Sequence, residues 1–146
     1  MVKKILVALD GSEYSKKAME FAISSAKMWG AALYLIHVLE EKSSPQGFEE
    51  YVKEQKLPLN YFDEVCKRDN FVGDAEARAK EAGIESVEVI CANGDPAEEI
   101  LRATNEVTAD LIVMGSRGLG RFSRLLMGSV STKVCNHSNS TCVIVR

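Results

Sequence analysis

The chain has 146 residues, 46% of them apolar and 27% charged, the size and balance of one globular domain, which excludes disordered and fibrous classes. A formal net charge of −3 argues against nucleic-acid binding through bulk charge, which needs a basic excess. No apolar run approaches the roughly 18 residues of a membrane span, so neither a nucleic acid nor a membrane is an expected partner.

The first apolar run, Ile5–Leu9, follows Lys3-Lys4 and stops at Asp10-Gly11-Ser12. It is shorter than the roughly 7–15-residue core of a signal peptide, so it reads as a strand of a cytoplasmic protein. Tyr14 to Trp29 then sets Ala18, Ala22, Ala26 and Trp29 at helical spacing on one face, and Gly30 ends that helix. A second apolar run covers Ala31–Val38. Pro45, Gly47 and Pro58 interrupt the next stretch, and residues 43–72 read as a variable, partly mobile insertion within a single domain spanning 1–146. From Phe62 a charged helix passes through Val65, Val72, Ala75, Ala79 and Ala82 to Gly83, because a structureless loop of this length is unusual in a compact domain.

The third run is Val87–Cys91. Asp95-Pro96 opens the next helix, with Asp95 as cap, Pro96 in the first turn, Glu98 at the capping-box position, and Ala97, Ile100, Leu101 and Thr104 turned inward. The fourth run, Leu111–Met114, leads into a glycine-rich segment. A last helix is expected from Ser129 to about Asn136, burying Val130 and Val134, before a fifth run at Cys142–Val145.

Strands and helices alternate, and three of the runs are almost continuously apolar, the mark of strands buried on both faces. The pattern predicts an α/β fold: a single doubly wound, open sheet of five parallel strands in the order 3-2-1-4-5, with helices on both faces. In that order the first and fourth strands are neighbours whose connections leave in opposite directions, so a crevice opens at their C-terminal ends. Asp10-Gly11-Ser12 and the segment from Met114-Gly115 should line it.

That segment holds Gly115, Gly118, Gly120 and Gly128, then Ser129 at a helix start. Glycines permit positive φ and close backbone approach. The free amides and positive dipole end of a helix start favour phosphate. Ser129 and Ser131 add hydroxyls, and Arg117, Arg121 and Arg124 add charge. A side chain at Gly118 or Gly128 should occupy phosphate space. A Walker loop is absent, and the turn after the first strand is not a dinucleotide-binding glycine motif. Cys66, Cys91, Cys135 and Cys142 have neither zinc-ribbon nor redox-dithiol spacing and read as small, partly buried apolar residues. His37 reads as structural and His137 as a helix-end residue. Asp10 suits either a turn or cap role or a ligand contact.

Gly115-x-x-Gly118, nine residues, then Gly128-Ser129 is similar to the G-2x-G-9x-G-[ST] signature of ATP-binding universal stress proteins. The resemblance extends to Lys3–Ser12, Leu35–Val38, Gly94-Asp95-Pro96, Ala109–Gly118 and Thr141–Val145. It implies an adenine nucleotide alpha hydrolase-like, Rossmann-like fold that binds ATP (or ADP or AMP), with Mg2+ or Mn2+ held by the phosphates and no metal site of the protein's own. By this resemblance Asp10, helped by the Gly115 backbone, contacts the ribose. The Val38 main chain, with Ala8 and Met114 as walls, holds adenine. The amides of Arg117, Gly118, Gly128, Ser129 and Val130, with the hydroxyls of Ser129 and Ser131, hold the phosphates. It also implies a homodimer through the C-terminal strand, Thr141 to Val145.

The function expected is a nucleotide-dependent stress-response or signalling module with at most slow ATP hydrolysis, since no base is poised beside the phosphate segment and no catalytic residue is assigned. The alternative, an ATPase or adenylating enzyme of the same superfamily, lacks the Ser-Gly-Gly-x-Asp-Ser or His-Ile-Gly-His motif after the first strand. An interaction module without nucleotide would fit relatives that have lost the glycine signature, which this chain keeps.

Overall fold

The computed structural model describes residues 1–39, 70–119 and 127–146. The proposed helix start at Phe62, most of the 43–72 insertion, Gly120, Arg121 and Arg124 lie outside the described residues. Five strands alternate with helices: β1 Lys4–Ala8, α1 Glu13–Trp29, β2 Ala32–Leu39, α2 Asn70–Glu81, β3 Val87–Asn93, α3 Pro96–Val107, β4 Leu111–Gly115, α4 Ser129–His137 and β5 Thr141–Val145. The strands form one sheet in the order β3-β2-β1-β4-β5, all neighbours parallel, as the alternation predicts.

The central strand is buried on both faces because its residues are apolar on both. Ile5 and Val7 point into one core with Ala18, Ala22 and Ala26 of α1 and Ala79 of α2. Leu6 and Ala8 point into the other with Ala97, Ile100 and Ala103 of α3 and Val134 of α4. Ile5, Leu6 and Val7 have no exposed surface. Register places Val7 between Leu35 and Val113; β1 ends at Ala8 and β4 at Gly115, while β2 runs on past Ile36, the partner of Ala8, to Leu39.

The start and stop of α1 and the start of α3 have local causes. Ser12 caps α1 by accepting the Ser15 amide at 3.1 Å, and Gly30 ends the helix at φ 62°. Asp95 caps α3 by accepting the Glu98 amide at 3.0 Å. The Glu98 carboxylate instead meets Lys133 of α4 at 3.3 Å, as does Asp95. Trp29 departs from the expected buried stripe and is 42% exposed. It is the last residue of α1, where Gly30 already turns the chain toward β2, and only part of its ring finds cover. The stripe is completed by Met19 and Ile23.

The opposite end of the sheet is pinned by contacts that the sequence did not advertise. The Asp110 carboxylate accepts the amides of Lys3 and Lys4 at 2.8 and 2.9 Å, which hold its carboxyl below the usual range. Lys4 Nζ donates to the Val107 carbonyl at 2.9 Å, placing a cation at the negative end of α3. Among the described residues no helix is long and apolar enough to cross a membrane.

Candidate functional site

A cavity of about 650 Å³ opens where β1 and β4 part, within the range of small-molecule sites. Every residue assigned to ligand contact from the sequence lines it: Ala8, Asp10, Val38, Met114 and Gly115 from the strand ends, and Arg117, Gly118, Gly128, Ser129, Val130 and Ser131 from the loop and α4. One side is apolar, with Ala8, Val38 and Met114 joined by Ile36, Pro96 and Ile100. The other is lined by Asp10 and by Arg117, Gly118, Gly128, Ser129 and Ser131. Sequence reading missed Pro96 and Ile100 as wall residues. Their signal was present: they lie one turn apart at the start of the helix after β3.

Asp10 serves the local turn and the cavity at once. Its Oδ1 accepts the Ser12 amide at 2.9 Å, tightening the turn around Gly11, whose φ is 81°. Its Oδ2 faces Gly118, where a Cβ would stand only 2.7 Å away. Gly118 is therefore small first of all because the carboxylate passes over it, and a side chain there meets Asp10 before any ligand.

Positive φ is not what the described glycines of the loop supply. Gly115, Gly118 and Gly128 are absent from the positive-φ positions. Gly115 and Gly118 supply close approach instead. A Cβ on Gly115 would lie 2.6 Å from Tyr14 Cβ and 2.8 Å from its carbonyl carbon, so α1 could not pack as it does. Gly128 differs: its φ is −73°, and a Cβ would find its nearest neighbour, Arg117 Cα, at an ordinary 3.6 Å. No contact with the described residues demands a glycine there.

Two of the groups assigned to phosphate are engaged within the protein. The Gly128 amide donates to the Ser116 carbonyl at 2.6 Å, drawing the end of the loop back onto β4. The Ser131 hydroxyl donates to the Gly128 carbonyl at 3.1 Å, with the Ser116 carbonyl at 3.4 Å. The α4 start has no side-chain cap, since Gly128 holds the N-cap position. The amides of Ser129, Val130 and Ser131 thus begin a helix with no capping acceptor, and these residues line the cavity.

His37 Nδ1 donates to the Leu9 carbonyl at 2.8 Å and its ring meets Phe71 edge-on at 4.9 Å, fastening β2 to the end of β1 as a structural histidine would. His137 Nδ1 donates to the Lys133 carbonyl in the last turn of α4. Among the described residues no group of three or more His, Cys, Asp or Glu side chains could hold a metal ion. The cysteines are not all alike: Cys91 is disulfide-bonded, against the reading of four plain apolar thiols, while Cys135 and Cys142 are free. Spacing along the chain does not reveal which thiols the fold brings together.

These features define the class, a doubly wound α/β protein with a half-apolar ligand cavity at its switch point, beside an uncapped helix start. The sequence model of the universal stress protein family matches residues 1–146, and the chain belongs to that family. The universal stress protein YxiE of Bacillus subtilis is 39% identical, with both chains covered in full. The solved structure of the hypothetical protein MJ0577 superposes with a TM-score of 0.82 at 30% identity, over 99% of this chain and 96% of that one. A universal stress protein crystallised in complex with cAMP gives a TM-score of 0.70 at 26% identity, over 99% of this chain and 97% of that one.

Proposed function

We propose that the cavity binds an adenine nucleotide, ATP before ADP or AMP, and that the protein is a cytoplasmic stress-response or signalling module governed by its occupancy. The observation that carries this reading is the division of the cavity: an apolar slot at the strand ends and uncapped amides at the α4 start. Adenine stacks between Ala8, Met114, Pro96 and Ile100, with the Val38 main chain at its edge. The ribose hydroxyls meet Asp10 Oδ2, the carboxylate oxygen left over from the Ser12 turn, and the Gly115 backbone. The phosphates lie against the loop from Arg117 to Gly118 and the amides of Ser129 and Val130, with the Ser129 hydroxyl and the Arg117 charge beside them. The Gly128 amide and the Ser131 hydroxyl join them only by exchanging their bonds to the loop.

Mg2+ or Mn2+ would ride on the phosphate oxygens, since the lining offers one carboxylate, Asp10, among the described residues. With that carboxylate at the ribose, the lining holds no further acid or histidine among the described residues to activate water, so hydrolysis is slow. The cAMP complex of a relative supports adenine as the base. The apolar edge strand β5 pairs with the β5 of a second copy, which light scattering reads as twice the chain mass; a monomer at micromolar concentration rejects that part.

Mass spectrometry of nucleotide released from freshly purified protein, followed by calorimetric titration with ATP, ADP and AMP in the presence of Mg2+, tests the reading. Stoichiometric adenine nucleotide is expected. Failure of all three to bind, or equal binding of GTP, overturns it.

A further inference from the structure

A second, smaller cavity of about 100 Å³ lies where the start of α1, the exit of β4 and the end of β5 meet. Tyr14, Ser116, Arg117 and Arg146 line it, and of these Arg117 alone also lines the larger cavity. The side chains of Arg117 and Arg146 form no ion pair or hydrogen bond with the described residues, whereas Arg78 is paired with Glu20 and Arg102 with Glu99 and Glu106. Ser116 is only 2% exposed, and its backbone is tied on both sides: its amide donates to the Val145 carbonyl and its carbonyl accepts the Gly128 amide. Its hydroxyl nevertheless bonds to no described residue, a costly state for a buried polar group. The Tyr14 hydroxyl is likewise unbonded among the described residues. Lys17 Nζ, 5.8 Å from the Tyr14 ring centroid, adds positive charge, and the adjacent acid Glu13 is bonded to Lys16. No acidic side chain lines this cavity among the described residues.

We propose that this cavity is an oxyanion site that takes one phosphate group between Arg117, Arg146, Ser116 and Tyr14. Unused donors and positive charge, with no acid in the lining, suit a ligand made of acceptors and disfavour a cation. Arginine meets phosphate through two parallel N–H bonds, and a hydroxyl already fixed by its backbone adds a donor at little entropic cost. Volume sets the size of the ligand. Small-molecule sites run from roughly 300 Å³ upward, so this one holds a single tetrahedral group and no nucleoside. The phosphate gives the Ser116 hydroxyl the partner that the protein does not supply. The site is separate from the adenine slot and does not rest on nucleotide binding; Arg117 is the residue the two cavities share.

Calorimetric titration of the whole chain with inorganic phosphate, in a phosphate-free buffer, tests the site. Saturable binding is expected, undiminished by an equal concentration of chloride. Arg146→Gln should weaken it about tenfold and Ser116→Ala about fivefold, and melting curves should show both variants as stable as the parent, since neither side chain bonds to a described residue. Methyl phosphate distinguishes the source: binding of both ligands assigns the site to a phosphoryl group on a larger molecule as well as the ion, and binding of inorganic phosphate alone assigns it to the free ion. No saturable binding, as for a cavity that holds only water, overturns the proposal. So does phosphate binding that Ser129→Ala weakens while Arg146→Gln and Ser116→Ala leave it unchanged, which would place the ion at the α4 start in the larger cavity. The titration needs no nucleotide, so its result stands whether or not ATP binds.

Discussion

Two helices begin at the same crevice and begin differently. α1 starts closed: Ser12 accepts the Ser15 amide, and its own amide is held by Asp10 Oδ1. α4 starts open, with Gly128 at the cap, no side chain on its amides, and no contact among the described residues that forbids one. A protein that needed only to begin a helix would gain about a few tenths of a kcal/mol from Ser or Asp in place of Gly at that cap. On the proposed reading the two starts answer to different partners: the first to the chain itself, the second to the phosphates.

The most severe test is to close α4 as α1 is closed. Gly128→Asp suits the extended backbone at φ −73° and ψ 164°, and its carboxylate would take the first-turn amides. Thermal stability should hold or rise slightly, while ATP affinity should fall about a hundredfold, close to 3 kcal/mol, from lost donors and charge repulsion. Calorimetry and a melting curve on one sample read both. Full affinity in a well-folded variant would move the phosphates elsewhere.

Gly115→Ala probes the other side of the contrast, a glycine that the protein itself requires. With Tyr14 Cβ and backbone 2.6 and 2.8 Å from the new methyl, α1 must shift. A loss of about 2 kcal/mol in urea unfolding is expected, and a variant as stable as its parent would show slack between α1 and β4. Ser12→Ala should cost about 1 kcal/mol. Since Ser12 does not line the cavity, nucleotide affinity should stay unchanged; a matching loss of affinity would mean that the two helix starts are not separate.

The sheet was readable because its strands carry their own signal. Runs such as Ile5–Leu9 and Leu111–Met114 are apolar on both faces, and the order follows from alternation and crossover handedness. The cavity residues were readable because strand ends at a switch point converge in any such sheet. The features that escaped depended on tertiary distances. That Gly115 is small for Tyr14 and Gly118 for Asp10 lies in contacts across the loop, which glycine spacing does not encode. Likewise, Lys4 reaching the end of α3 is decided by how the two elements lie in the fold. Trp29 followed the helical period and still lost its cover, because periodicity says nothing of where a helix outruns its support.

A third helix start supplies the smallest and most specific effect. α3 is closed by Asp95, which unlike Ser12 can titrate. The Glu98 amide foremost, and then Lys133, hold the Asp95 carboxyl below its ordinary value. The unfolded chain therefore binds this proton more readily than the folded one. The stability Asp95 contributes is complete above the unfolded carboxylate range and is lost as pH falls through the depressed folded value. Asp95→Asn keeps an effective cap at every pH, so it should leave the urea midpoint nearly unchanged at about pH 5 and make its decline toward about pH 3 slightly shallower. The same measurement on Ser12→Ala should show no such change in slope. If Asp95→Asn declines in parallel with its parent, the acid-sensitive contacts lie elsewhere, with Asp110 at the far end of the sheet the next carboxylate to replace.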